Sequence, residues 1–272
     1  MAEDSRIEAP RVALGDRMKS YEAANNLKLA SGVPVILRLD GHGFSKFTAN
    51  FARPFDQRLH DAMVATCGDL LVHFPSSSLA YTQSDEITLV FPSGVGSFND
   101  RVQKIVSLAS SFTSVRFNMH LAAFLDACPK PAVKNTDVLG TAHFDGRLFG
   151  VPSVEEALNC VLWRCRGDAI RNSVSAFART LFSTRELQKK NTEAIMKMIE
   201  TKTGSAYRHV VPPWAVEGTI VKKEQYEVEG QNAMTGEGEK TLRTRTKAVD
   251  KGVTEFSNAN LKLITEKYWD TC

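Results

Sequence analysis

Apolar positions along the chain fall into runs whose period switches between that of strands and that of helices. Val33, Val35, Ile36 and Leu37 lead into Arg38-Leu39-Asp40-Gly41-His42-Gly43, which predicts a buried strand over about 33–39 that gives way to a glycine loop. From Asp56 onward, Leu59, Ala62, Met63, Cys67, Leu70 and Leu71 recur at helical spacing and mark one apolar stripe. Two short apolar runs, Leu79 to Tyr81 and Ile87 to Phe91, flank a polar turn and predict a hairpin over 78–91. Val102, Ile105, Val106, Ala109 and Phe112 predict a helix over about 98–118, and Phe144 to Val151 a further strand. The order β-α-β-β-α-β is that of the split βαβ. The expected fold class is therefore α+β, a ferredoxin-like antiparallel sheet with both helices on one face and the other face open for substrate.

After Pro152, Ser153-Val154-Glu155-Glu156 reads as a capping box opening a helical region that carries Trp163, Arg164, Asp168 and Arg171. Arg164, Asp168 and Arg171 share a helix face, either as a solvated salt-bridge ladder or as part of a site. A further helix is predicted over about 184–201, with Lys189 and Lys190 exposed at its start. Strands Thr219–Val228 and Leu242–Val249 are joined by a Gly-, Asn- and Glu-rich loop from Gly230 to Glu239. This divides the chain into a core domain, 1–152, and a helical and β-hairpin extension, 153–272, packed with it as one unit.

Composition narrows the classes. At 272 residues and 43% apolar content the chain builds a globular core. A net charge of +3 permits a polyanionic partner without requiring one, so any nucleic-acid surface has to come from local clustering. The five cysteines are odd in number and form no Cys-x-x-Cys pair, which points to a reducing compartment with neither a disulfide framework nor a zinc site. The N-terminus opens acidic, without the apolar segment of a secretory signal, and no apolar run reaches membrane-spanning length. A cytoplasmic protein is expected, with a mitochondrial address left open.

Two acidic elements carry the candidate chemistry. Asp40 ends the first strand just before Gly41-His42-Gly43-Phe44-Ser45, where glycines leave backbone N–H groups free to approach phosphate oxygens; an Asp-Gly turn of purely conformational origin reads the same way. Ser84-Asp85-Glu86 sits at the hairpin tip. Neighbouring strands would bring Asp40 and Asp85 within reach of shared divalent ions, which lie about 4 Å apart in two-metal sites. Arg101 and Lys104, three apart on the second helix, either reach over the sheet edge toward a phosphate or are simply solvated. Arg243, Arg245 and Lys247 alternate with threonines, giving three cations about 7 Å apart on one face of a strand. That pattern suits an RNA backbone or an edge strand kept soluble by charge.

Together these pieces make the chain similar to the tRNA(His) guanylyltransferase-like family, polymerases that extend RNA 5′ ends in the 3′-to-5′ direction. The matching segments are Arg38-Leu39-Asp40-Gly41 with Phe44, Asn50-Phe51-Ala52-Arg53-Pro54 with Asp56, Tyr81-x-Gln83-Ser84-Asp85-Glu86, Arg101-x-x-Lys104, Phe144-Asp145-Gly146-Arg147, Trp163-Arg164, and Arg243-Thr244-Arg245-Thr246-Lys247. The resemblance implies a polymerase palm in which Asp40, the Gly41 carbonyl and Asp85 hold two Mg²⁺ ions. Glu86 is then a supporting rather than ligating carboxylate, because strand neighbours face opposite ways. His42, Gly43, Phe44, Ser45 and Ser84 would bind an incoming triphosphate, with Arg53 where the family often has lysine. Arg101 and Lys104 would contact triphosphate or the RNA 5′ end, and Lys189, Lys190, Arg243, Arg245 and Lys247 would bind RNA. ATP and other nucleoside triphosphates, GTP included, are the implied substrates, with tRNA as partner and a homotetramer as assembly.

One segment departs from the pattern. Enzymes dedicated to tRNA(His) carry a His-Ile-Asn-Asn stretch where this chain reads Asp168-Ala169-Ile170-Arg171-Asn172-Ser173. The resemblance is thus to the guanylyltransferase-like branch, implied to repair 5′-truncated tRNAs by template-dependent addition. Guanosine addition to tRNA(His), a palm-type nucleotidyl cyclase and a non-catalytic RNA-binding module are the competing readings.

Overall fold

The computed structural model describes residues 12–231 and 238–269. In chain order the elements are α1 (Leu14–Ala23), β1 (Val35–Gly41), α2 (Phe44–Thr48), α3 (Gln57–His73), β2 (Leu79–Gln83), β3 (Glu86–Phe91), α4 (Val102–Ala127), β4 (Phe144–Gly150) and α5 (Val154–Trp163). A π-helical stretch, Arg164–Ala169, then runs into α6 (Ile170–Leu181). The chain continues through α7 (Thr184–Leu187), α8 (Thr192–Thr203), α9 (Tyr207–Val210), α10 (Pro213–Glu217), β5 (Thr219–Gln231), β6 (Gly238–Val249) and α11 (Asn258–Thr265). The strands form a six-stranded sheet in the order β4-β1-β3-β2-β5-β6, every neighbouring pair antiparallel. The sheet therefore extends across residue 152, since β5 pairs directly with β2.

Strand alternation sorts β1 between two environments. Val35, Leu37 and Leu39 face α3 and α4 and are buried with Leu70, Leu89 and Phe117. Ile36 faces the other way and packs with Tyr81, Val90, Leu158, Val161 and Ile264. The second face, expected to be open, is thus roofed over part of its area by α5 and α11. The apolar positions of β2 and β3 are buried on both sides, and a surface this apolar recruits cover. Within β1, β3 and β4, the end that carries Asp40, Arg38, Glu86, Asp145 and Arg147 bears the charged side chains. A third cluster, including Val174, Ile199, Tyr207 and Val216, holds α6, α8, α9 and α10 together.

Element boundaries differ from the sequence reading in four places. β1 begins and ends two residues later than expected, so that Asp40 lies within it. The second long helix starts at Val102 and runs to Ala127, after a tight turn at Phe98–Asp100 with left-handed backbone. The helix expected over 184–201 is two helices, α7 and α8, with Lys189 at φ 59° and Lys190 in the exposed turn between them. Asn191 then caps α8, accepting from the Ala194 amide at 2.9 Å. The loop expected from Gly230 to Glu239 is shorter: Gly230 pairs with Glu239 and Gln231 with Gly238, and the rest of it lies outside the described residues.

Asp56 anchors the turn into α3. Its carboxylate accepts from the Arg58 and Ala52 amides, each at 3.0 Å, and forms a buried ion pair with the Arg58 guanidinium, which also donates to the Cys128 carbonyl at 3.0 Å. Burial opposes ionisation of Asp56, but the Arg58 hydrogen bonds and the Ala52 amide outweigh it and hold the carboxyl below its usual range. Asp56→Ala strands Arg58 without a counter-charge and removes the cap. The expected destabilisation is about 3–5 kcal/mol, read as a lowered urea midpoint.

Candidate active site

The register of β1 assembles the carboxylates. β3 sets Glu86 opposite Asp40 on one side and β4 sets Asp145 opposite it on the other. Asp85 occupies the turn between β2 and β3, where Ser84 takes a left-handed φ of 57°. The Gly41 amide donates to the Asp85 carbonyl at 3.0 Å, which ties the turn to the end of β1. Crowding and burial act on all three acids. Burial, and then the negative charge of Asp145, push the Asp40 carboxyl above its ordinary value. Burial, and then Asp40, do the same to Asp85. Burial raises Glu86 as well, with Arg164 and Arg38 pulling it back.

Cations surround this group. Arg38 and Arg147 are paired across β1 and β4, two residues along from Asp40 and Asp145. Arg164 forms ion pairs with both Glu86 and Asp168, and Asp168 accepts from Arg171 at 2.5 Å. The charged stripe read from the sequence is therefore a solvated ladder only at its outer end. Its inner end is tied to Glu86. Cys165, beside Arg164 in sequence, is buried, which pushes its thiol up to about 11.

The glycine loop is built around Phe44. A Cβ on Gly41 would stand 2.2 Å from the Phe44 ring, which itself packs on Phe47, Phe117 and Phe144. Gly43 sits at φ 66°, where other residues are strained. Two loop amides expected to face phosphate are already engaged, Gly41 with Asp85 and His42 with the His143 carbonyl at 2.9 Å. The His143 ring lies 5.0 Å from that of His42.

Beside the carboxylates lies a cavity of about 430 Å³ between this loop, α3 and α6. Phe44, Ser45, Arg53, Ser84 and Asp85 line it on one side, and Asn172, Arg179 and Trp214 on the other. Trp214 is held by a stack on His60, ring centroids 4.2 Å apart, and by its Nε1–H donating to the Gln57 side chain at 3.0 Å. The sequence reading assigned no role to Asp145, Arg147, Arg179, His60 or Trp214. Asp145 and Arg147 were legible as a strand alternating acid and base next to Gly146; the others have no local signal.

Other assignments land elsewhere. Phe117 borders the cavity, and along α4 at 1.5 Å per residue Arg101 lies roughly 24 Å from it, with Lys104 in the next turn. Within one chain, Arg101 and Lys104 are thus at the far end of the sheet from Asp40. Arg245 and Lys247 both bind Glu224, at 2.8 and 2.6 Å, because the β5–β6 register sets that acid opposite Arg245 and diagonal to Lys247. Among the described residues Arg243 has no such carboxylate. Lys189 and Lys190 are exposed.

Among the described residues no group of three or more histidines, cysteines or carboxylates is disposed to hold a metal ion. Asp40, the Gly41 carbonyl and Asp85 nevertheless offer the hard oxygen donors Mg²⁺ takes, and that ion ordinarily completes its shell with water and substrate phosphate. Burial raises both carboxyls, with Asp145 adding to it at Asp40 and Asp40 adding to it at Asp85, and a divalent cation between them would favour their charged forms. Glu86, held by Arg164, has a partner already.

Residues 15–152 match the family model described as Thg1, tRNAHis guanylyltransferase. An uncharacterised protein of Acanthamoeba polyphaga mimivirus is 31% identical, over 94% of this chain and 90% of its own length. The tRNA(His) guanylyltransferase of Neurospora crassa is 33% identical over 48% of this chain and 43% of its own. Among solved structures, a bacterial tRNA(His) guanylyltransferase-like protein in complex with ATP superposes with a TM-score of 0.73 at 28% identity, covering 93% of this chain and 99% of that one.

The acid cluster has a consequence for stability. A carboxylate whose folded-state pKa lies above its unfolded value stabilises the fold below the unfolded pKa, and that contribution is lost as pH rises through the folded pKa. Asp85, raised from its ordinary 3.8, is such a group. Asp85→Asn is therefore expected to raise the thermal midpoint at pH 7 in metal-free buffer, with the gain shrinking as the pH falls toward 4. Calorimetry at a series of pH values checks this.

Proposed function

The chain belongs to the tRNA(His) guanylyltransferase family, whose members are nucleotidyltransferases, and on that premise we propose that it adds nucleotides in the 3′-to-5′ direction to the 5′ ends of truncated tRNAs. The observation that carries the reading is the meeting of Asp40 and Asp85 at one end of the sheet, beside a cavity large enough for a nucleotide. A related bacterial protein binds ATP. Phosphoryl transfer asks for charge neutralisation and alignment more than for a covalent nucleophile, and a set of carboxylates with nearby arginines is suited to that.

Each residue then has a part. Asp40, the Gly41 carbonyl and Asp85 would hold Mg²⁺, which when bound offsets the charge of the triphosphate. Phe44, Ser45, Ser84 and Arg53 line the cavity where the triphosphate would sit, and His42 and Gly43, exposed in the adjoining loop, would contact it from there. A 5′-phosphate oxygen of the RNA would attack the α-phosphorus of ATP and release pyrophosphate, and the 3′-hydroxyl of the incoming nucleotide would then attack the RNA phosphorus, lose its proton and release AMP. Lys189, Lys190, Arg243, Arg245 and Lys247 are the proposed RNA contacts. RNA phosphates would have to displace Glu224 from the last two. Assembly as a homotetramer, and any role for Arg101 and Lys104 at a neighbouring subunit's site, belong to the same proposal.

The departure at Ile170, where dedicated enzymes carry histidine, favours template-directed addition over guanosine-only addition. The test supplies each labelled nucleotide in turn, with Mg²⁺ and ATP, to a 5′-monophosphorylated tRNA lacking its first residue. Incorporation is expected to follow the opposing base and to fall by about 10³-fold or more in Asp40→Ala and Asp85→Ala. Incorporation of GTP alone, whatever the opposing base, overturns the template-directed reading.

Arg53→Ala and Arg179→Ala, at exposed positions lining the cavity, are expected to weaken ATP binding by roughly tenfold each, the scale of one charged hydrogen bond. Titration calorimetry measures this.

A further inference from the structure

Arg164 lies outside the cavity and outside the set of acids just assigned. Its guanidinium nevertheless joins two carboxylates on separate elements. One outer nitrogen pairs with Glu86 on β3, and the other with Asp168 four residues along its own segment. The side chain is largely buried, and its guanidinium sits 5.0 Å above the Trp163 ring. Asp168 is in turn held by Arg171, so the anchor behind Arg164 is itself fixed. Glu86 stands opposite Asp40 in the β1–β3 register and adjoins Asp85. Any movement of Glu86 is therefore felt by the backbone that carries both acids.

The winding of the chain is part of the arrangement. Residues Arg164–Ala169 form a π-helical turn between two ordinary helices, a feature that costs regular hydrogen bonding and that persists where geometry requires it. Arg164 and Asp168 lie on this turn four residues apart, close enough to pair, while Arg164 also reaches Glu86 on the sheet. Gln83 fastens the same stretch to β2, its side-chain amide donating to the Ala215 carbonyl at 3.1 Å and reaching the Ala169 carbonyl at 3.5 Å.

We propose that Arg164 is a positioning residue for nucleotidyl transfer. By clamping Glu86 between β3 and the π-helical turn, it sets the angle at which Asp40 and Asp85 present their carboxylates. It touches neither nucleotide nor RNA and acts by holding Glu86, with its charge also felt at Asp40 and Asp85. A planar, forked guanidinium suits this task, because two carboxylates in different directions are held at once; a lysine ammonium supplies the charge without the fork. The inference rests on the reading of Asp40 and Asp85 as metal-holding acids.

The test compares wild type with Arg164→Gln, Arg164→Lys and Asp168→Asn. Three quantities are measured: nucleotide addition, ATP affinity, and Mn²⁺ binding by titration calorimetry in the absence of RNA. Arg164→Gln is expected to lower kcat by roughly 100-fold, the scale of a small misplacement of reacting groups, and to weaken Mn²⁺ binding, while the ATP Kd stays within about twofold. Arg164→Lys is expected to recover part of the loss, and Asp168→Asn to lose less than Arg164→Gln. An Arg164→Gln enzyme with wild-type kcat and Mn²⁺ affinity overturns the proposal, as does one that loses ATP affinity in proportion to kcat. If Arg164→Gln fails to fold, Arg164→Lys decides: full wild-type kcat and Mn²⁺ affinity refute the need for the fork. If wild type binds Mn²⁺ but adds no nucleotide to any RNA 5′ end, the functional reading fails, and Mn²⁺ affinity in Arg164→Gln still judges the role of Arg164.

Discussion

Like charges gathered at one end of a sheet repel, and in this chain the hydrogen-bonded register of β1 enforces the gathering. Asp40 is set between Glu86 and Asp145 by its two neighbouring strands, and the Gly41 amide draws the Asp85 turn against it. Nothing local could hold these acids together. Their proximity is sustained by the apolar residues on both faces of the sheet, whose burial outweighs the repulsion. Arg38, Arg147 and Arg164 favour the charged form of Asp40, and Arg164 that of Asp85, but burial is the larger effect and keeps both carboxyls raised.

The helices beyond residue 152 complete the site from outside the split βαβ core. Asn172, Ser173 and Arg179 on α6 and Trp214 on α10 form the wall of the cavity that faces the glycine loop. They are held to the core by Gln83 and by the stack of Trp214 on His60. β5 and β6 continue the same sheet, so the core and the extension share one hydrogen-bonded framework. That rigidity matters to phosphoryl transfer, where alignment supplies much of the rate.

Some features were legible because they depend on neighbours in sequence. The apolar run from Val33 to Leu37, the helical stripe from Leu59 to Leu71 and the hairpin around Ser84-Asp85 each follow from local period and turn chemistry. The helix break at Lys189 was missed because the residues there have good helical propensity, and the cap on Asn191 overrides it. The pairing of Arg245 and Lys247 with Glu224 was invisible because register between β5 and β6 is not written in either strand alone. The spacing of Arg101 and Lys104 suits either a phosphate contact or plain solvation; the direction of α4 relative to the sheet places them at its other end within one chain.

Read by itself, the chain determined the order of elements, the two acids worth attention and the family to which its motifs are similar. These rest on interactions spanning a few residues, or on motifs whose order survives without coordinates. Only the tertiary structure decided that Asp145 joins Asp40, that Glu86 is already taken by Arg164, and that the second face of the sheet is half covered. Those outcomes depend on which strands pair, in what register, and on where helices far along the chain find apolar surface to bury. Such choices are settled by the free energy of the whole fold, and no segment carries them alone.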